Sequence, residues 1–139
     1  MEVKEIMTPN PEYLLATSTI KEAAKKMREL DTGFLPIGDK RSDKLVGTIT
    51  DRDIVISALA DDKGLDTPVT SVMHKGVYYC YETDDIKEAS KCMKDHQIRR
   101  LIVLNKDKKL AGIVSLGDIA VNCQENHLKG ETLEEISKH

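Results

Sequence analysis

The chain has 139 residues and a mass of 15.5 kDa, the size of a single domain, which excludes a multi-domain enzyme carrying its own substrate lobe. Hydrophobic residues make up 40% and charged residues 32%, with 8 Gly and 4 Pro, a folded globular composition without the bias of a disordered chain. With 21 Lys and Arg against 24 Asp and Glu, a net charge of -3, no long basic block, one Phe, four Tyr and no Trp, the composition argues against a nucleic-acid partner.

The apolar runs are far shorter than the roughly 18 to 20 residues that cross a bilayer, and the opening Met1-Glu2-Val3-Lys4-Glu5 is too acidic for a signal peptide. The expectation is a cytoplasmic protein with no membrane partner. Cys80, Cys92 and Cys123 are widely spaced and form no C-x-x-C pair, so they read as reduced and structural.

Taken in chain order, the elements occur twice. A short strand is predicted at residues 13–16. Thr19-x-x-Glu22 is a capping box, and Ile20, Ala23, Ala24, Met27 and Leu30 continue it as an apolar stripe, which predicts a helix ending near Asp31-Thr32-Gly33. Phe34-Leu35-Pro36-Ile37 and residues 45–50 read as a strand hairpin. Pro36 lacks a ladder donor, which predicts an edge or irregular strand. A second helix is expected over residues 52–59.

Ile20-Lys21-Glu22-Ala23 then recurs as Ile86-Lys87-Glu88-Ala89, and Met7, Met27 and Leu35 recur as Met73, Met93 and Leu101, each 66 residues on. Gly47 and Asp53-Ile54 recur 65 residues on as Gly112 and Asp118-Ile119, so one residue is lost between the two hairpin strands, where a surface turn tolerates it. The second copy has a strand at 78–80, a helix capped by Asp85 with a narrower stripe, strands at 100–104 and 110–115, and a helix over 117–125. A last helical turn, capped by Thr132-x-x-Glu135 with Leu133 and Ile136 on one side, belongs to neither copy.

The fold class is therefore α+β, with two β-α-β-β-α repeats. One repeat has too few apolar side chains to be comfortable alone, so the two are expected to pack sheet to sheet about a pseudo-two-fold axis. The expected boundaries are residues 1–64, 65–129 and a tail at 130–139.

The residues that could carry chemistry lie at two strand-to-helix junctions, Thr50-Asp51-Arg52-Asp53 and Ser115-Leu116-Gly117-Asp118. A hydroxyl beside unpaired helix N-terminal amides favours a phosphate, and a carboxylate accepts hydrogen bonds from two vicinal sugar hydroxyls, so the pattern suits a ribose phosphate. The same pattern also suits an N-cap hydroxyl with an acidic first turn and no ligand. Gly47 and Gly112 permit close backbone approach or a bulge. Arg52 adds a cation to the first junction, which predicts that a polyphosphate prefers it. Arg99 and Arg100 stand where the first copy has Gly33 and Phe34, able either to clamp phosphate or to form surface ion pairs.

The chain resembles the CBS domain pair, the tandem motif named after cystathionine beta-synthase. The resemblance rests on Ile6-Met7-Thr8 and Val72-Met73, the two Ile-Lys-Glu-Ala runs, Phe34-Leu35-Pro36-Ile37, Ile98-Arg99-Arg100-Leu101-Ile102-Val103 and the two Gly-to-Asp junctions. It covers nearly the whole chain and is similar to small bacterial proteins made of one such pair.

It implies a non-catalytic regulatory module, of the kind used in energy sensing, that binds AMP, ADP, ATP, S-adenosylmethionine or a related adenosine compound in clefts between the motifs. It also implies a homodimer that acts on an effector protein, with no required cofactor. By the resemblance, Thr50 and Asp53, and Ser115 and Asp118, hold phosphate and ribose. The base lies against His74, Gly76, Val77 and Tyr78 for the first pair, and against Thr8, Pro11 and Tyr13 for the second. The alternative is a ligand-independent dimerisation scaffold with vestigial clefts.

Other groups carry less. Cys123 and His127, four residues apart, have no second ligand pair to complete a metal site, so no metal role is expected of them, and His96 suits a helix C-terminus. Tyr79 and Tyr81 are expected on one strand face with Tyr78 on the other. No nucleophile-base arrangement and no phosphate-binding glycine loop occurs in the sequence.

Overall fold

The computed structural model describes residues 1–42 and 44–122. The Cys123 and His127 pair, the helix expected to reach residue 125 and the tail element at Thr132, Leu133, Glu135 and Ile136 lie outside the described residues. The chain forms two compact units, one of Glu12–Val77 and one of Met1–Pro11 with the described chain from Tyr78 on. Each contains a four-stranded sheet and two helices.

In the Glu12–Val77 unit, β2 (Leu14–Leu15) lies parallel to β3 (Phe34–Asp39), which pairs antiparallel with β4 (Lys44–Thr50); β4 in turn pairs with β5 (His74–Lys75). Between β2 and β3 runs α1 (Ile20–Leu30). Its capping box is formed, with the Glu22 amide donating to Thr19 Oγ1 at 3.2 Å and the Thr19 amide to Glu22 Oε1 at 3.3 Å. It ends at Asp31 in the left-handed region, φ 52°. Ile20, Ala23 and Met27 enter the core with Leu14, Leu35, Ile37, Ile49 and Val69. Ala24 and Leu30, expected inward, are exposed, because the core is filled by a narrower face of the helix. After β4, α2 (Asp51–Ile54) continues into a π-helical turn, Val55–Leu59.

In the other unit, β1 (Thr8–Pro9) pairs antiparallel with β8 (Leu110–Ser115), which pairs with β7 (Arg100–Leu104), and β7 lies parallel to β6 (Tyr79–Tyr81). The helices are α3 (Ile86–His96) and α4 (Leu116–Asn122). Asp85 caps α3 by accepting the Lys87 amide at 2.9 Å, and Ile86, Ala89, Ser90 and Met93 are buried. Ser90 sits in the core although it interrupts the apolar stripe.

Two further findings differ from the sequence expectation. The strand containing Pro36 is interior, between β2 and β4, and not an edge. Its register shifts between Ile37 and Gly38, but β7 shifts at the same place, between Val103 and Leu104, without a proline, so the irregularity belongs to the repeated architecture and not to the ring.

The other difference is the pair of two-residue strands β1 and β5. The segment that opens each copy supplies the fourth strand to the sheet of the other copy, with Thr8 opposite Ile113 and His74 opposite Thr48. Asn10 and Gly76, which follow these strands, are both left-handed, φ 49° and 77°, and donate to the carbonyls of Ala111 and Val46. Glycine is required beneath the crossing: a Cβ at Gly47 would lie 2.4 Å from the His74 carbonyl oxygen, and one at Gly112 would lie 2.8 Å from the Thr8 carbonyl oxygen. Among the described residues no helix is long and apolar enough to cross a membrane.

Candidate functional site

Thr50 ends β4 and caps α2; Ser115 ends β8 and leads into α4. Thr50 Oγ1 accepts the Asp53 amide at 3.1 Å, while Asp53 Oδ2 accepts the Thr50 amide at 2.9 Å. Ser115 and Asp118 repeat the exchange at 3.0 and 2.8 Å. All four residues are half-buried.

The capping reading is thus realised in both copies, yet it does not exhaust the groups. Each hydroxyl that accepts an amide still has its own proton to donate, and each carboxylate retains Oδ1, for which no hydrogen bond exists among the described residues. The cap holds the carboxylate in a fixed orientation.

The unpaired amides expected at these helix starts are largely filled. In the first copy the Asp51 amide donates to the Gly33 carbonyl at 2.9 Å, and the Arg52 amide to Asp51 Oδ1 at 2.8 Å. Asp51 folds back over its own helix end, against Gly33, where a Cβ would lie 2.7 Å from Asp51 Oδ2. In the second copy the Leu116 amide donates to the Arg99 carbonyl at 2.8 Å, and only the Gly117 amide has no acceptor among the described residues, because no carboxylate occupies the position before it.

The crossing strands bring further candidate residues into the same units. His74, Gly76 and Val77 share the Glu12–Val77 unit with Thr50, Arg52 and Asp53, and Thr8 and Pro11 share the other unit with Ser115 and Asp118. Arg100 opens β7 opposite Ser115, and Arg99 precedes it; both side chains are exposed, as is Arg52. Tyr13 and Tyr78 belong to the unit other than that of the junction each was matched with. The Tyr13 ring lies over Gly38, and the Tyr78 ring stacks on His96 with centroids 4.0 Å apart. Sequence reasoning missed β1 and β5 as strands; the joint recurrence of Met7 and Met73 with Gly112 and Gly47, which they contact, was the available signal.

Other candidates are occupied structurally. His96 ends α3 with Nδ1 3.0 Å from the Cys92 carbonyl oxygen, as a helix C-terminal histidine does. Tyr79 and Tyr81 share a face and meet edge to face at 5.7 Å. Burial, then Asp84 and Cys92, push the Cys80 thiol up to about 12; burial, then Asp95, raises that of Cys92. Neither is a thiolate near neutral pH. Among the described residues no three His, Cys, Asp or Glu side chains converge as metal ligands.

The CBS domain profile matches residues 3–59 and 69–124. The uncharacterized protein YlbB of Bacillus subtilis (strain 168) is 35% identical over 137 residues, covering 99% of this chain and 92% of that protein. Among solved structures, Hypoxic Response Protein I with two coordinated zinc ions is similar with a TM-score of 0.77 at 35% identity, covering 88% of this chain and 98% of that one. The CBS domain protein PAE2072 from Pyrobaculum aerophilum, complexed with AMP, is similar with a TM-score of 0.80 at 25% identity over 96% of this chain and 99% of that one. The CBS domain pair of protein MJ0100, in complex with 5'-methylthioadenosine and S-adenosyl-L-methionine, gives a TM-score of 0.77 at 30% identity, covering 87% and 94%. With two matched domains filling most of its length, the chain belongs to the CBS domain family as a tandem pair.

Proposed function

We propose that this protein is a regulatory module that binds an adenosine compound of the AMP, ADP, ATP or S-adenosylmethionine class and acts, as a homodimer, on an effector protein. The observation that carries the reading is the twofold junction, where a hydroxyl and a carboxylate are oriented by their caps and each keeps one hydrogen-bonding function unspent. Asp53 and Asp118 take the ribose hydroxyls through Oδ1, and Thr50 and Ser115 donate to phosphate. Arg52 serves the first junction and Arg99 and Arg100 the second as the cationic groups. His74, Gly76 and Val77 flank the base at the first junction, and Thr8 and Pro11 at the second. The similar structures of PAE2072 with AMP and MJ0100 with 5'-methylthioadenosine and S-adenosyl-L-methionine support this ligand class.

The filled amides and the complete caps favour one competing reading, a ligand-independent dimerisation scaffold. Calorimetry with AMP, ADP, ATP and S-adenosylmethionine separates the two. Asp→Asn is the informative substitution because the amide oxygen preserves the cap, while its NH2 cannot accept a ribose hydroxyl. Asp53→Asn and Asp118→Asn should each abolish one binding event with melting temperature unchanged. Absence of heat with all four compounds supports the scaffold.

A further inference from the structure

The two junctions share a backbone arrangement and differ in charge. The Leu116 amide donates to the Arg99 carbonyl just as the Asp51 amide donates to that of Gly33, so Arg99 stands where the first copy has Gly33, and Leu116 where it has Asp51. One residue on, Arg100 lies opposite Ser115 and Phe34 opposite Thr50 in antiparallel strand pairs. Residues directly opposite in such a pair project from the same sheet face with Cβ atoms about 5 Å apart. The second hydroxyl therefore has an exposed arginine as its cross-strand neighbour, and the first has a buried phenylalanine.

The cation of the first junction does not make up the difference. Arg52 lies with Asp51, Val55 and Ile56 around a hollow of about 330 Å³ to which neither Thr50 nor Asp53 contributes. It brings its charge with a carboxylate alongside. Two carboxylates and one cation accompany the Thr50 hydroxyl, against one carboxylate and two cations at Ser115. Each phosphate added to a ligand is repelled at the first junction and attracted at the second, while a sulfonium has the opposite preference. We infer that charge divides the ligands between the junctions: ADP and ATP go to Ser115 and Asp118, and S-adenosylmethionine goes to Thr50 and Asp53, with Arg100 and Asp51 as the residues that discriminate. This division rests on the adenosine reading of the junctions, and it reverses the preference for the first that Arg52 suggests in the sequence.

Calorimetry on two single-junction variants tests it. Asp118→Asn leaves the first junction and Asp53→Asn the second. In magnesium-free buffer, the ratio of ATP affinity to S-adenosylmethionine affinity should be about ten-fold higher in the Asp53→Asn protein. Adding Arg100→Gln to that protein should lower the ratio about ten-fold. Adding Asp51→Asn to the Asp118→Asn protein should raise it, because the amide oxygen still accepts the Arg52 amide while the charge is gone. Both are exposed positions, and level melting temperatures report that the fold is kept. Equal ratios at the two junctions, or ratios indifferent to Arg100→Gln and Asp51→Asn, would overturn the division and leave adenosine binding standing. Absence of heat with both compounds in the unsubstituted protein would overturn the two together.

Discussion

At the residue scale, Gly47 and Asp51 show what a pattern conveys and what it leaves out. The sequence places a glycine before each junction, but it does not say that a crossing carbonyl lies 2.4 Å from where the Gly47 Cβ would stand. Gly47→Ala should therefore cost about 1–3 kcal/mol in urea unfolding by displacing β5; an unchanged midpoint would show that the crossing is loose. Asp51 defeated the expectation of open amides because a side chain able to fold back one residue competes with any ligand for them, and a linear pattern does not rank such local bonds.

Cys80 supplies a pH test. Its folded pKa is raised from 9.0 to about 12, so above pH 9 the unfolded chain releases a proton that the folded chain retains, and stability falls as pH rises. The slope from this group is at most about 1.4 kcal/mol per pH unit. Denaturant unfolding between pH 8 and 11 should show the wild-type protein losing stability faster than Cys80→Ala. Parallel curves would contradict the burial of the thiol.

At the scale of the element, helices and hairpins were legible because their causes are local. Thr19 and Glu22 close the box that starts α1, and the hydroxyl-to-Asp spacing starts α2. The lost residue between hairpin strands located the turns, where Asn105 Oδ1 now accepts the amides of Asp107 and Lys109 at 2.9 and 3.0 Å. Strand order was not legible. Pro36 reads as an edge residue only if its neighbours are unknown, and β1 and β5, two residues each, have no periodicity to detect; distant pairing partners create them.

That exchange of opening segments makes a prediction specific to one unit. Val3 is fully buried with Cys80, Met93 and Val114, and the Val3 and Lys4 amides donate to the carbonyls of Asp84 and Glu82 at 2.8 and 2.9 Å. Removing residues 1–11 should expose amides of β6 to β8 to hydrogen exchange while leaving β2 to β4 protected. Loss of protection in β2 to β4 instead would mean that the segment supports its own copy.

At the scale of the whole molecule, the repeat was the most legible feature, since Ile20-Lys21-Glu22-Ala23 and its partner 66 residues on need no structure to be seen. The family follows from it, and the profile matches at residues 3–59 and 69–124 bear that out. The candidate site was half legible. The hydroxyl and carboxylate types announce what they can bond, but their unspent atoms become visible only once the caps are built, with Asp53 Oδ2 on the Thr50 amide and Asp118 Oδ2 on that of Ser115.

The account turns on those remaining oxygens. A crystal structure of the protein grown with AMP should show a ribose whose two hydroxyls donate to Oδ1 of Asp53 or Asp118, with the capping bonds of the same carboxylate intact. AMP bound elsewhere on the chain, with both aspartates still making only their caps, would contradict it.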